Sequence, residues 1–393
     1  MVGSRYLVPA LAVAGIAVAA DSKRCGDVTI ENQSDADGLT SCSKIKGDIT
    51  IAEHYAGGLV LDGIESIAGS LICEGGENVT SIEAPKLEII EDEFSLTGLV
   101  RMTDLRMDSL TEVGSINFVA LPKLQALSFT KGVTKAGRVR IENTDLNSLD
   151  GIDLESTEGM QILNNPHLTT VNVNNIVNAT GHVDFSANSE KLEIRFPNLE
   201  NAQNMTFRNT SLVALPSLKK TAGLLGFYSN YFQDFSAPNL TSTGDLVFVD
   251  NAKLNNISLP LLKTVNGAVQ IANNTRLDAI DGFDSLTTIK GALDFTGNFT
   301  SVNLPKLDEI QGEFNIQSSG ELDCDEDGLN DLESNTRGSF YCEGQVEDPQ
   351  TLDPTRTGSG ASPTETDAAG RVANPPAIIA MLALLGGALQ FVL

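Results

Sequence analysis

Apolar residues recur in pairs along most of the chain, and a single residue separates the two members of each pair. Residues 244–254 read GDLVFVDNAKL and residues 267–277 read GAVQIANNTRL, with Gly first, apolar residues third and fifth, and Asn eighth. The apolar pair recurs at fourteen positions that lie 21 to 24 residues apart, so the chain is a repeat array. The alternation has a period of two, which predicts a short β-strand in each repeat.

A second signature, Pro followed two residues later by Leu, lies between the predicted strands, as in LPKL at 121–124 and LPLL at 259–262. Pro cannot donate to a strand ladder, so we expect it at a corner, with the apolar residues on either side pointing inward. Short strands joined by Gly, Pro and Asn corners predict one coil per repeat. The predicted fold class is therefore all-β, a right-handed β-solenoid of about 14 coils of 21–24 residues.

An Asn follows many of the apolar pairs. Equivalent residues of successive coils lie above one another in a solenoid, so these side chains can turn inward and form a ladder that satisfies corner backbone groups. The alternative is that they are turn residues with left-handed backbone that face water. The predicted ladder comprises Asn143, Asn165, Asn188, Asn209, Asn230, Asn251, Asn274 and Asn298.

The two ends of the chain predict processing signals. Residues 1–19 contain a basic residue, an apolar run and an A-x-A site, which predicts a signal peptide in front of an ectodomain at 20–344. Residues 345–367 predict a linker rich in Ser, Thr and Pro, and residues 368–393 have the spacer and apolar run of a GPI-attachment signal. Asp367 is the predicted attachment residue, with Gly360 as second candidate. A tail-anchored span is the competing interpretation, although the apolar run is short for one.

Cysteines and sequons predict the oxidising, glycosylating environment of a secreted protein. Of the five cysteines, Cys25 and Cys42 flank the first coil, and Cys324 and Cys342 flank the end of the last, so we predict one disulfide at each end. Cys73 takes an inward position and is expected to be a buried free thiol. We predict N-glycosylation at Asn32, Asn78, Asn178, Asn204, Asn239, Asn256 and Asn273. Asn209 and Asn298 also lie in sequons, but we expect them to stay unmodified if the ladder points inward.

The net charge is −26, with 52 acidic and 26 basic residues, which argues against nucleic acid and anionic membrane surfaces as partners. Trp is absent, so the chain has no obvious aromatic platform for sugars or bases. No sequence feature predicts a cofactor. The predicted lipid anchor makes the plasma membrane an expected partner.

Taken together, the repeats, the Cys pair at each end, the linker and the GPI tail resemble the fungal GPI-anchored cell-wall organisation proteins, which include sporulation-specific wall proteins. The most specific pieces are Cys25 and Cys42 followed by IKGDITI at 45–51, and RGSFYC at 337–342. The resemblance implies receptor L-domain-like, leucine-rich-repeat-like coils. It also implies a non-enzymatic glycoprotein of the cell surface or cell wall that is needed for wall organisation and integrity, with cell-wall polysaccharide or mannoprotein as expected partners.

Three other kinds of chemistry are weighed against this interpretation. DCDEDGLNDLES at 323–334 partly matches a calcium loop, but Ser334 stands where the loop needs Glu, so a short capping helix is the simpler prediction. A polysaccharide-active β-helix enzyme would need paired carboxylates, for which Glu142, Asp184, Asp245 and Asp294 are the candidates. A glycan-binding or receptor module, which would use the face of a sheet, is the third alternative.

Overall fold

The computed structural model describes residues 25–352, and those residues are almost entirely short β-strands. The predicted signal peptide, Asp367, Gly360 and residues 368–393 lie outside the described residues. The strands are β1 (Val28–Ile30), β2 (Lys44–Ile45), β3 (Ile49–Ile51), β4 (Gly57–Val60), β5 (Ser66–Ile67), β6 (Leu71–Glu74), β7 (Val79–Glu83), β8 (Ile89–Thr97), β9 (Asp104–Arg106), β10 (Glu112–Leu121), β11 (Lys135–Thr144), β12 (Ser156–Thr157), β13 (Gly159–Leu163), β14 (Asn178–Ser186), β15 (Glu193–Arg195), β16 (Asn201–Arg208), β17 (Leu212–Ala214), β18 (Lys220–Thr221), β19 (Leu225–Tyr228), β20 (Asp234–Ser236), β21 (Ser242–Thr243), β22 (Leu246–Val249), β23 (Asn256–Ser258), β24 (Thr264–Val265), β25 (Val269–Ala272), β26 (Ala279–Ile280), β27 (Thr288–Ile289), β28 (Leu293–Gly297), β29 (Ser301–Val302), β30 (Glu309–Ile310), β31 (Phe314–Ser318) and β32 (Phe340–Glu343).

All strand pairs are parallel, and each strand pairs with the equivalent strand of the next coil. The apolar pairs stack in register, as when Leu246 pairs with Val269 and Phe248 with Ile271. The strands that carry these pairs form one continuous sheet surface, which we call the main face. It runs from β1 through β3, β6, β8, β10, β11, β13, β14, β16, β19, β22, β25, β28 and β31 to β32. The predicted β-solenoid of about 14 coils is confirmed.

The Pro-containing corners bury their apolar residues as predicted. In LPLL, Leu259 and Leu262 are both buried, and the Leu262 N–H donates to the Leu259 carbonyl at 3.1 Å, which closes a turn. Pro suits such a turn because its fixed φ is that of the second turn residue. The corner therefore adds two inward side chains to each coil without taking a hydrogen bond from a neighbouring strand.

One hydrophobic core runs along the inside of the described coils, with phenylalanines stacked in the middle. The rings of Phe207 and Phe227 are 5.5 Å apart, and those of Phe227 and Phe248 are 4.7 Å apart, with planes nearly parallel in both pairs. Parallel in-register strands place equivalent side chains above one another, so an aromatic residue recurring in successive repeats produces such a stack. The apolar pair of each repeat is thus the core of the molecule.

Both ends of the core are covered by short elements. Helix α1 (Gln33–Asp37) follows β1 and begins with a capping box between Asn32 and Asp35. A 3-10 helix (Asn330–Asn335) lies at the other end, where Leu329 and Leu332 are buried. Within residues 25–352, no helix is both long and apolar enough to cross a membrane.

Residues 345–352, which we call the strap, return from β32 onto the main face. The Val346 N–H donates to the Ser318 carbonyl at 2.9 Å, and the Gln350 carbonyl accepts from the amide groups of Asn315 and Gln317. The predicted linker boundary at residue 345 is therefore too early, because the packed part of the chain extends at least to Leu352.

Candidate interaction surface

The corner after the main face is built from two successive residues with different roles. The first has left-handed backbone, with φ of 53 to 59° at Asn164, Ser229, Asp250 and Asn273 among others. The next residue then points inward, and it is buried at Asn165, Asn188, Asn230, Asn251 and Asn274. Asn and Asp tolerate left-handed backbone better than most residues, so the first position also selects polar residues.

The inward asparagines form hydrogen-bonded ladders. Asn251 Oδ1 accepts from the Asn230 backbone N–H at 2.9 Å, and Asn251 Nδ2 donates to the Phe227 carbonyl at 3.1 Å and to Asn274 Oδ1 at 3.1 Å. One ladder joins Thr210, Asn230, Asn251 and Asn274, and a shorter one joins Thr144, Asn165 and Asn188. Each Asn therefore bonds backbone groups that the corner takes out of the strand ladder.

The assignment of Asn143, Asn209 and Asn298 to the inward ladder is wrong. Asn143 and Asn209 occupy the left-handed position, with φ of 55° and 58°, and the buried positions belong to Thr144 and Thr210. Their repeats are one residue shorter before the corner, which moves Asn from the second corner position to the first. Asn298 is exposed because β28 continues to Gly297. Asn209 and Asn298 therefore project outward, and the reason for expecting them unmodified no longer holds.

Both disulfides occur at the ends of the solenoid. Cys25 is bonded to Cys42 beside the first coil, and Cys324 to Cys342 beside the last. Cys73 is a buried free thiol in the core. Burial raises the pKa of the Cys73 thiol to about 12, and the nearby Glu74 carboxylate adds to this effect. The thiol is consequently protonated at neutral pH and acts as a small apolar side chain.

The nine sequons avoid one part of the main face. Asn239 and Asn256 are exposed on other parts of the coils, and Asn209, Asn273 and Asn298 lie at the corner after the main face. Asn178 is the exposed first residue of β14, and Asn204 is half-buried at the same leading edge of the main face. Asn32 and Asn78 belong to the first coils. No sequon lies between Asn78 and Asn178, a stretch that contains β8, β10, β11 and β13. The main face from β8 to β13 therefore has no glycan acceptor at either edge.

We call this surface, together with the C-terminal part of β14, the strip. Its outward residues are aligned by the parallel register; five of the ten are amides or hydroxyls, two are apolar, and the others are one arginine and two acids. Asn117 Nδ2 donates to Ser95 Oγ at 3.0 Å, and Arg140 forms an ion pair with Glu142. The strip comprises Ser95, Thr97, Asn117, Val119, Arg140, Glu142, Gln161, Leu163, Asp184 and Ser186.

The four carboxylates considered for catalysis do not lie in adjacent coils. Glu142 and Asp184 are separated by β13, and Asp245 and Asp294 by the coil of β25. Two coil spacings are about 9.6 Å, which is nearly double the separation in a retaining glycosidase and lies at the upper limit of that in an inverting one. Each carboxylate also has a local partner: Arg140 for Glu142, Ser186 for Asp184, the Ala268 N–H for Asp245, and Gln270 for Asp294.

The acidic loop at 323–334 folds on itself. Asp323 Oδ1 accepts from two N–H groups of its own turn, Asp325 Oδ1 accepts from Asn330, and Asp327 Oδ2 accepts from the Val302 N–H at 2.8 Å. Among the described residues, no group of three or more potential ligands is placed to hold a metal ion. The short helix with Leu329 and Leu332 buried is the element predicted as the alternative to a calcium loop.

Comparison with known proteins identifies the family. The family described as "GPI-anchored cell wall organization protein" matches residues 1–40, and six leucine-rich repeats of the BspA type match residues 111–229. The chain is 46% identical over 362 residues to "Protein ecm33" of Aspergillus fumigatus, covering 91% of each protein. It is 47% identical over 391 residues to "Cell surface GPI-anchored protein" of Arthroderma benhamiae, covering 99% of each.

A more distant relative, "Sporulation-specific protein 2" of Saccharomyces cerevisiae, is 30% identical over 72% of this chain and 57% of its own length. No solved structure matches the chain. The repeats, the disulfide-bonded ends and near full-length identity to two fungal surface proteins agree, and the chain belongs to the Ecm33 family of GPI-anchored cell wall organisation proteins.

Proposed function

We propose that this protein organises the fungal cell wall as a non-enzymatic, GPI-anchored scaffold, and that the strip on its main face contacts neutral wall polysaccharide. Membership of the family supports the role in wall organisation and the position at the cell surface. The names of the relatives, which include cell wall proteins and a cell wall mannoprotein, support association with the wall. The assignment of the contact to the strip is more specific than the role in wall organisation.

The distribution of sequons is the main support for the strip as the contact surface. In a chain with nine sequons, four successive coils of the strip, those of β8, β10, β11 and β13, contain no acceptor, and the fifth has one only at the first residue of β14, Asn178. N-linked glycans are bulky and hydrophilic and would block close approach of a polymer chain. A surface that lacks them is therefore the one best suited to contact.

The chemistry of the strip supports a neutral polysaccharide as the partner. Five of its ten side chains are amides or hydroxyls, and Arg140 is paired with Glu142. One arginine and two acids give the strip a formal net charge of −1. Amides and hydroxyls spaced by the coil repeat of about 4.8 Å can bond successive hydroxyls of an extended sugar chain.

The structure of the coils favours binding over catalysis. The candidate carboxylates are two or more coils apart and bonded to local partners, whereas a glycosidase needs two that face each other across the scissile bond. We also propose that residues 1–19 are removed, that a GPI anchor is attached at Asp367, and that the predicted acceptors, together with Asn209 and Asn298, carry glycans.

A sedimentation assay tests this proposal. The ectodomain, residues 20–367, is incubated with insoluble β-glucan and separately with chitin, and both bound protein and newly released sugar ends are measured. We expect sedimentation with at least one polysaccharide and no release of ends. Release that disappears in a Glu142→Gln or Asp184→Asn variant would make the protein an enzyme, and absence of sedimentation with both polymers would refute the contact.

A further inference from the structure

Beyond the strip, the outward side chains of the main face become less polar toward the C-terminal end. From β19 to β25, four of the six outward positions hold apolar side chains, and the other two are Gly226 and Gln270. Tyr228, Val249 and Ala272 align in one outward row, and Val247 lies in the row beside it. Leu224 packs against them. We call these five residues the apolar patch.

The apolar patch is buried although it lies on the outer side of the sheet. Tyr228 is 6% exposed and Ala272 1% exposed, comparable to residues of the core. Within the described residues, the hydrophobic contacts of the patch are among its own members, and the Arg208 guanidinium lies over the Tyr228 ring, 4.0 Å from its centre. A sheet face that carries Val and Tyr outward and is withdrawn from water requires a cover.

Three hydroxyl groups on the same surface point to the kind of cover. Thr206 precedes the patch in register, Thr296 follows Ala272, and Tyr228 lies within it. All three hydroxyls are buried and have no hydrogen-bond partner in the part of the chain described, residues 25–352. Buried hydroxyls are normally bonded, and the strand backbone beneath is already paired, so the cover must supply donors or acceptors. A polypeptide backbone in extended form does this.

The strap leads directly to the patch. Its hydrogen bonds pass from Ser318 and Asn315 on β31 to Asp294 on β28, where the Leu352 N–H donates to Asp294 Oδ2 at 3.2 Å. The chain thus moves backward along the main face, from the last coil toward earlier ones. The next coils in that direction are those of β25, β22 and β19, which carry the patch.

The distance from Asp294 to Tyr228 determines which residues after Leu352 can reach the patch. Three coil spacings separate Asp294 from Tyr228, or about 14 Å, and an extended chain covers this in about four residues. The residues after Leu352 read Asp-Pro-Thr-Arg-Thr. Pro354 lacks an N–H, which costs nothing on a sheet face whose own backbone is paired. Thr355 and Thr357 can bond the free hydroxyls.

We propose that residues 353–357 dock on the apolar patch and continue the strap across the main face. The chain that leads to the predicted lipid anchor then leaves the solenoid at the coil of Tyr228, several coils before the C-terminal end of the solenoid. The docked segment also closes this part of the main face to outside partners, so the open surface is the half that contains the strip.

A fluorescence experiment tests the docking, because the chain contains no Trp and a single introduced one reports its own surroundings. Tyr228→Trp is made in the ectodomain, residues 20–367, which includes the whole disulfide-bonded solenoid. Residues 353–357 are then replaced by Gly and Ser. We expect the emission to shift to longer wavelength and acrylamide quenching to increase several-fold on this replacement. Circular dichroism and the thermal transition check that the solenoid remains folded.

A matched control replaces residues 360–364 by the same Gly and Ser sequence, and the emission should stay unchanged. An unshifted spectrum after replacement of 353–357 overturns the proposal, as does an equal shift in both replacements. A shift on dilution of the unreplaced protein also overturns it, because the cover would then be a second copy of the chain. Val249→Trp provides the same test if Tyr228→Trp does not fold.

Discussion

Replacing Asn251 by Ala should destabilise the coils on both sides of it. Asn251 is fully buried, and its side chain accepts from the Asn230 N–H and donates to the Phe227 and Asn274 oxygens. Ala leaves these groups buried without that partner, and each orphaned group costs about 1–3 kcal/mol. With more than one such group and a small cavity, we expect the free energy of unfolding to fall by about 3–5 kcal/mol.

Asn255→Ala is the matched control, because Asn255 is exposed in the same coil and its loss leaves the sequon at Asn256 intact. A surface substitution of this kind should change stability by less than about 0.5 kcal/mol. Urea unfolding gives the overall difference. Amide exchange locates it, since repeat arrays can open locally, and peptides covering 225–235 and 246–256 should lose protection. Equal stability of the two variants would refute the ladder as a stabilising element.

Three further outcomes are expected. A thiol reagent at pH 8 should modify Cys73 only after unfolding, because its thiol is buried with a raised pKa; rapid labelling of the native protein would contradict the core position. Burial, with the nearby Glu313 carboxylate adding to it, raises the pKa of Asp294 despite three opposing hydrogen bonds. Burial of the protonated Asp294 carboxyl should therefore stabilise the folded solenoid most at pH below the ordinary Asp pKa, and this contribution should be lost as pH rises through the raised value. Urea unfolding of the parent chain and of Asp294→Asn measures it, and a parent stability that rises with pH relative to Asp294→Asn would oppose it. Glycopeptide mass spectrometry should find glycan on Asn209 and Asn298, and complete absence from both would contradict their outward position.

Local sequence was sufficient for most of the fold. The alternating pair, as at Leu246 and Phe248, reports a strand with one buried side, and Pro between apolar residues reports a corner. Both signals are independent of distant residues. The apolar pair recurs in every coil and the Pro corner in about half of them, so the spacing of the pairs predicts the architecture. The ladder was less certain because Asn serves both corner positions. The shortened spacing before Asn143 and Asn209 was the signal that these two had moved to the left-handed position.

The strap and the apolar patch were missed for a different reason. Residues 345–352 are polar, and their composition is that of a linker; they are held by Asp294, Asn315 and Gln317 from distant coils. No local pattern reports such contacts. The patch itself does have a sequence signal, because LVFV at 246–249 has no polar residue at its outward positions. Outward Val247 and Val249 indicate a sheet that is covered on both sides.

A glycan placed on the strip tests the central claim most directly. Val119→Thr creates a sequon at Asn117, in the middle of the strip, with a side chain of nearly the same shape. The control variant, Asn117→Gln with Val119→Thr, carries the same threonine without a sequon. Mass spectrometry establishes glycan at Asn117, and sedimentation with insoluble β-glucan and chitin measures binding. The account predicts that the glycosylated variant loses binding while the control keeps it; equal binding by both would show that the strip is not the contact surface.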